Sequence, residues 1–312
     1  SNEEPLRIYI FRQEADGTYE KAYTLRGDGT AIDSISFVDL DGDGMKEVLV
    51  SWQISARVHT LTAYQLGVAD AIELVHTAYN ETFAVYDLDR DNQQELLVLQ
   101  ADDTGEGSGR VEYYNFENGQ MVLAAAAPMS RGASAIAAGG VRRGYLRGNI
   151  PALYVGVMCG DAAVTDIYAM REGVFTNVTL NPETGVSGET MRYYNDVAAQ
   201  DINSDGVLEL PKPVALSDNQ PAQNSASSFW LIYWRQFDVD GNAYTVQINY
   251  HNLIDGWYLN LPENWVDQIA MARDDSQSAR GERAVVFYLM REGEMETSPQ
   301  EFLRIYRLTG SN

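Results

Sequence analysis

Basic charge is what this sequence has least of. Its 22 lysines and arginines stand against 45 aspartates and glutamates, for a net charge of −23 over 312 residues. Phosphate binding needs clustered Lys and Arg, so nucleic acid and anionic lipid surfaces are excluded as partners. Cysteine is nearly absent as well. A lone Cys159 forbids an intrachain disulfide and leaves packing or metal ions to staple the fold. Cys159 closes the apolar run 155–159 and reads as a buried, inert thiol rather than a nucleophile. No run reaches the ~18–20 apolar residues of a membrane helix. Long helical periodicity with caps is missing too. The three histidines, His59, His76 and His251, show no zinc-ligand spacing.

Apolar residues make up 45% of the chain, enough for a core. They fall into short alternating runs. Leu6 to Phe11, an Asp16-Gly17 turn and Tyr19 to Leu25 spell a β-hairpin. The rest is repetitive. Residues 35–50 and 83–98 align with an offset of 48, and a third copy lies at 197–210. Each copy reads strand, acidic turn, strand, and a further hairpin. Four antiparallel strands per unit predict a β-propeller blade.

Two further copies lack the acidic turn. Near 133–180 its place is taken by Gly140-Val141-Arg142-Arg143-Gly144; near 266–308 it reads Arg273-Asp274-Asp275-Ser276. The expectation is therefore an all-β chain: one propeller domain over 1–312, with five to six four-stranded blades and seven at most. The hairpin 6–25 is expected to complete the last blade, 266–308, since closure removes sheet edges. Arg142 and Arg143 are expected to form a salt bridge where the other blades hold a cation, with an anion site as the alternative.

The acidic turn is Asp-x-Asp-x-Asp-Gly-x-x-Glu, with oxygen donors at loop positions 1, 3, 5 and 9. A calcium ion takes six to eight oxygens at about 2.3–2.6 Å, and a tight loop with alternate inward side chains supplies them. The side-chain ligands expected are Asp39, Asp41, Asp43 and Glu47 in the first loop; Asp87, Asp89, Asp91 and Glu95 in the second; Asp201, Asn203, Asp205 and Glu209 in the third. Position 7 offers a backbone carbonyl, from Met45, Gln93 and Val207. Position 6 must turn sharply at positive φ, and Gly44, Asn92 and Gly206 meet that need. Asn203 removes one charge, so the third site is expected to be the weakest. Calcium is thus expected at up to three sites, in a structural role. A catalytic metal would keep an open position beside an acid or base, and these loops contain no histidine.

Strand, acidic turn and strand together resemble the FG-GAP (VCBS) repeats of integrin alpha subunits and many bacterial surface proteins. The resemblance spans about 33–52, 82–100 and 191–214. It implies a propeller fold with calcium in the blade loops. The Phe-Gly and Gly-Ala-Pro signatures of that family are not evident. The functional expectation is a non-enzymatic, extracellular module of bacterial origin that binds a protein or glycan. Ser1-Asn2 reads as a tag-cleavage scar, with a leader or lipid anchor lying ahead of it. The alternative is a carbohydrate-binding or carbohydrate-active protein built on the aromatic segment 229–265, which holds Trp230, Trp234, Trp257 and Trp265 beside the polar loop Leu216 to Ser228.

Overall fold

The computed structural model describes residues 5–102, 107, 109–192, 197–216, 229–290 and 300–309. Two compact units emerge where the repeats read as one domain: Ser1–Tyr193 with Asp238–Asn242, and Tyr194–Phe237 with Ala243–Asn312.

In the first unit, β1 (Leu6–Gln13) and β2 (Tyr19–Gly27) form a two-stranded hairpin. A four-stranded sheet follows: β3 (Ala31–Val38), β4 (Glu47–Gln53), β5 (His59–Leu66) and β6 (Ala71–Tyr79). The next comprises β7 (Thr82–Tyr86), β8 (Glu95–Gln100), β9 (Arg110–Glu117) and β10 (Gln120–Pro128). A third comprises β11 (Ala133–Leu146), β12 (Ile150–Cys159), β13 (Ala162–Arg171) and β14 (Val174–Asn177). Every pairing is antiparallel and joins neighbours in sequence, so each sheet is an up-and-down meander. These sheets are blades of an all-β, propeller-class fold.

Packing explains the burial pattern along each blade. The second strand is covered on both faces: Val48, Leu49 and Val50 of β4, and Leu96, Leu97, Val98 and Leu99 of β8, are all at 1% exposure or less. Hence these strands read as continuous apolar runs instead of alternating ones. Leu40, Leu49 and Leu61 meet Leu96, Val98 and Tyr114 in one core. Leu97, Leu99 and Val111 meet Leu153, Val155 and Tyr168 in the next. The N-terminal hairpin packs Leu6, Ile8, Ile10 and Leu25 against Val48, Val50 and Trp52 of the first blade. Gly27 lies flat on the Trp52 ring, where any Cβ would collide.

Where a turn was expected in the third blade, β11 continues to Leu146, with a bulge between Ile136 and Val141. Arg142 pairs with Tyr154 and Arg143 with Leu153, and the connection to β12 is the short turn 147–149. The Gly140–Gly144 segment is therefore strand and not turn. Instead of a salt bridge at a loop, Arg143 donates to the Val85 carbonyl at 3.4 Å. On β13, the fully buried Asp166 accepts hydrogen bonds from Ser130 N (2.8 Å), Ser130 Oγ (2.7 Å) and Ser187 Oγ (2.6 Å). Half-buried Cys159 has its thiol pushed up to about 11 by burial, with the Asp166 charge adding to it. It is protonated at neutral pH, as an inert thiol should be.

The second unit holds a four-stranded sheet of β15 (Leu210–Ala215), β16 (Trp230–Phe237), β17 (Ala243–Asn252) and β18 (Trp257–Asn260). A three-stranded sheet follows: β19 (Ile269–Asp274), β20 (Glu282–Leu289) and β21 (Gln300–Leu308). Leu231, Ile248 and Tyr250 pack on Ile269, Met271, Val285 and Phe287. The strand expected before the third acidic loop is reduced, among the described residues, to a bridge between Gln200 and Glu209. That blade therefore begins at what is the second strand elsewhere and adds β18 at its other edge. No helix among the described residues is long and apolar enough to cross a membrane.

Candidate metal centres

All three acidic loops adopt one geometry. Each leaves a strand or bridge, turns through nine residues and delivers a glutamate into the next strand. At position 9, Glu47, Glu95 and Glu209 are 1%, 0% and 0% exposed. Each spends Oε2 on the backbone N–H of position 2: Leu40 N at 2.7 Å, Leu88 N at 2.6 Å, Ile202 N at 2.8 Å. The position-2 side chains Leu40 and Leu88 are themselves buried in the cores. The same peptide thus pins the loop to the core and orients the carboxylate.

The aspartates are ordered by the loop backbone. At position 5, Asp43, Asp91 and Asp205 each accept from the N–H of position 7: Met45 at 2.7 Å, Gln93 at 2.7 Å, Val207 at 2.9 Å. At position 3, Asp41, Asp89 and Asn203 accept from the N–H of position 5. Asp39, Asp87 and Asp201 at position 1 accept from N–H groups across the turn. Positive φ occurs at position 6, as the sequence predicts, in Gly44 (89°), Asn92 (71°) and Gly206 (86°). It also occurs at position 4, in Gly42 (75°), Arg90 (66°) and Ser204 (62°). Two of these are neither glycine nor asparagine, so the loops hold a conformation that ordinary side chains resist.

These bonds bring carboxylate oxygens together. One oxygen each from Asp87, Asp89, Asp91 and Glu95 lies within 4.8 Å of the others, as do those of Asp39, Asp41 and Asp43, and those of Asp201, Asp205 and Glu209. Such clusters can hold a metal ion. Glu47 does not join the first group, and Asn203 supplies an amide beside the third. No histidine or cysteine belongs to any of the three. All donors are oxygens, the set a hard cation requires.

For each acidic loop, a polar residue on the strand that pairs with the one leaving the loop completes it, and the sequence reading missed it. Gln65 donates to Asp41 at 3.1 Å and Tyr113 to Asp89 at 3.3 Å, each 24 residues beyond its partner. Gln236 donates to both Asp205 (2.7 Å) and Glu209 Oε1 (2.6 Å). The shared offset of 24 was a usable signal in the first two copies, although glutamine and tyrosine do not look alike in an alignment.

The loops differ in how well their charge is met. Glu209 has both oxygens bonded. In the second loop Glu95 Oε1 is buried with no hydrogen-bond partner, and a lone buried carboxylate oxygen is costly. Burial, reinforced by the Asp89, Asp87 and Asp91 charges and opposed by the Leu88 N–H, pushes the Glu95 carboxyl up to about 8. Glu47 and Glu209 are raised by burial too, with neighbouring aspartates adding to it. Asp89 is raised by burial and then by Asp91.

The other candidates are accounted for otherwise. Asp274, in the fifth turn, is held at about 2 by Ser276 and Arg304 and pairs with Arg304 at 2.5 Å. The aromatic segment divides. Trp234, Phe237, Phe229 and Tyr250 are core residues, while Trp230 (48%) and Tyr258 (58%) are exposed. Trp230, Tyr250, His251 and Arg273 border a cavity of about 240 Å³, and His251 stacks on Tyr258 at 5.4 Å. Of the polar loop expected beside them, only Leu216 lies within the described residues.

No protein-family model matches the sequence, and no curated protein matches it. Among solved structures, the exotype rhamnogalacturonan lyase YesX is similar at 16% identity and TM-score 0.44, over 91% of this chain and 48% of that one. Bacillus licheniformis rhamnogalacturonan lyase PL11 is similar at 15% identity and TM-score 0.42, over 93% and 50%. A Lactobacillus plantarum protein follows at 10% identity and TM-score 0.24, over 95% and 91%. The chain spans about half the length of the two lyases. Likeness at this level does not bear on what the loops bind.

The raised Glu95 carboxyl has a definite sign. Its folded value of about 8 exceeds its ordinary 4.5, so the folded state binds the extra proton between those values. In EDTA, stability is greatest below the lower value and falls as pH rises through about 8, with a slope of at most one proton from this group. Glu95→Gln, compared with wild type by urea unfolding across pH 4.5–8.5, should lose that component. An identical pH profile in the two proteins would contradict the assignment.

Proposed function

We propose that the three acidic loops are structural calcium sites bracing the blades of an FG-GAP/VCBS-type repeat module. On this reading the chain is a non-enzymatic, extracellular binding or scaffold protein. The observation that carries it is Glu95. Its Oε1 is buried and unpartnered, and its carboxylate has an oxygen within 4.8 Å of oxygens from three aspartates. Only a proton or a cation makes that arrangement stable near neutral pH. The oxygen-only donor set, with carboxylates on alternate residues of a nine-residue loop, favours calcium over magnesium, which demands a near-ideal octahedron and keeps its waters. The second loop is the strongest site, having four carboxylates. The third is the weakest: Asn203 lowers the charge, and Gln236 already occupies the oxygens that a cation would use.

A cation that binds the folded loop alone stabilises by mass action, by about 1.4 kcal/mol per site at ten times Kd. That corresponds to roughly 2–4 °C in Tm for a unit of this size. Thermal unfolding in EDTA and then in excess calcium should show this rise, and Asp89→Ala should lose more of it than Asn203→Ala. An unchanged Tm at millimolar calcium would sink the proposal.

The carbohydrate-binding alternative is favoured by one observation, the exposed Trp230 and Tyr258 flanking the cavity at His251. Exposed aromatic faces stack on sugar rings. If they do so here, Trp230→Ala abolishes retention on a glycan array at unchanged Tm. Unchanged retention would dismiss this reading.

A further inference from the structure

We propose that the cavity bordered by Trp230, Tyr250, His251 and Arg273 binds a small aromatic carboxylate, its ring against the aromatic wall and its charge on Arg273. This does not depend on the calcium reading, and it sets an aromatic acid where the alternative above sets a sugar. The cavity measures about 240 Å³, and the residues that border it all belong to the second unit. An apolar cavity of about 150 Å³ holds benzene, so this one has room for a ring and a carboxylate.

The wall is made largely of rings. Phe229 and Tyr250 are core residues whose rings lie 5.9 Å apart, and Trp230 is open to solvent. Leu253 and Ile254, at 45% and 60% exposure, complete the apolar part. Uncovered apolar side chains gathered around a cavity mark a binding surface, and aromatic faces favour an aromatic ring in offset or edge contact.

The charge on the wall has one sign. The chain carries 45 aspartates and glutamates, yet among the described residues none borders this cavity. Arg273 does, over the Phe229 ring at 5.7 Å from its centroid and donating to the Tyr250 hydroxyl. It forms no ion pair with a carboxylate of the described residues. The acids beside the wall have arginines of their own: Asp274 pairs with Arg304 at 2.5 Å, and Asp255 with both Arg283 and Arg307 at 2.7 Å. His251 is kept neutral at pH 7 by burial, which lowers its pKa. One cation and no anion therefore face the cavity, inside a chain of net charge −23.

The polar groups suit an acid better than a sugar, whose several hydroxyls each need a partner. Asn252 spends its amide on Asp255, donating to Oδ2 and accepting from the backbone N–H, both at 3.1 Å. The Tyr250 hydroxyl is engaged by Arg273. Arg273 and His251, whose Nε2 is buried without a partner, are the polar side chains left on the wall.

The test uses benzoate as probe, benzyl alcohol as its neutral counterpart and glucuronate and glucose as sugars, read by saturation-transfer NMR on the full chain, with Tm measured on the same samples. Benzoate should bind, and benzyl alcohol should bind roughly tenfold more weakly, the effect of losing one charge-assisted contact. Arg273→Gln should erase that difference, and Trp230→Ala should weaken acid and alcohol alike, both at unchanged Tm. No binding of benzoate, equal binding of acid and alcohol in wild type, or a difference that survives Arg273→Gln would each overturn the proposal. Glucuronate or glucose binding as tightly as benzoate would overturn it too, and would return the cavity to the sugar reading. None of these outcomes touches the calcium sites, whose test is the rise of Tm with calcium.

Discussion

The structure turns on a carboxylate buried where nothing in the protein neutralises it. Glu47, Glu95 and Glu209 enter their strands with almost no exposure, each tied by one oxygen to the N–H at position 2 of its loop. A buried carboxylate needs partners for both oxygens. This chain supplies them elsewhere: Asp166, equally buried, is bonded by a backbone N–H and two hydroxyls. Glu95 instead has one bare oxygen, and its carboxylate sits among three aspartates. Like charges at that spacing repel unless a proton or a cation lies among them. The positive-φ loop, its Asx-type hydrogen bonds and its third-strand partner all serve to hold that arrangement.

Much of this was legible in the sequence because it is repeated. Oxygen donors at alternate positions, a small or amide residue at position 6 and a glutamate at position 9 recur in three copies, and periodic chemistry stands out in a single sequence. The alternation of short runs and the sequence-local hairpins gave the all-β blades. Position 4 stayed hidden because Arg90 and Ser204 are not residues that announce positive φ; the hydrogen bonds around them impose it. Gln65, Tyr113 and Gln236 stayed hidden because their contact is between strands, where spacing depends on hairpin length. Arg142 and Arg143 were misread because β11 has 14 residues, so the turn to β12 lies further along the chain. The aromatic segment could not be divided by eye. Trp230 and Trp234 share one face of β16, four residues apart; Trp230 opens the strand and is exposed, while Trp234 lies in its interior and is buried.

Nonequivalence of the loops is the point at which structure goes beyond the repeat. The second loop has the fullest carboxylate set and the most strained electrostatics, fitting a brace. The third substitutes an asparagine and a bridging glutamine for charge, so it needs a cation least. The first gathers three aspartates, with Glu47 outside the group.

Calcium content per chain is the most direct test of the central claim. Protein dialysed to equilibrium against calcium is analysed by mass spectrometry for the bound metal, first as wild type and then with Glu47→Gln, Glu95→Gln and Glu209→Gln introduced singly and together. The account predicts calcium above the buffer in wild type, the largest single loss with Glu95→Gln, the smallest with Glu209→Gln, and none retained in the triple variant. Metal at buffer level in wild type, or undiminished in the triple variant, would contradict it.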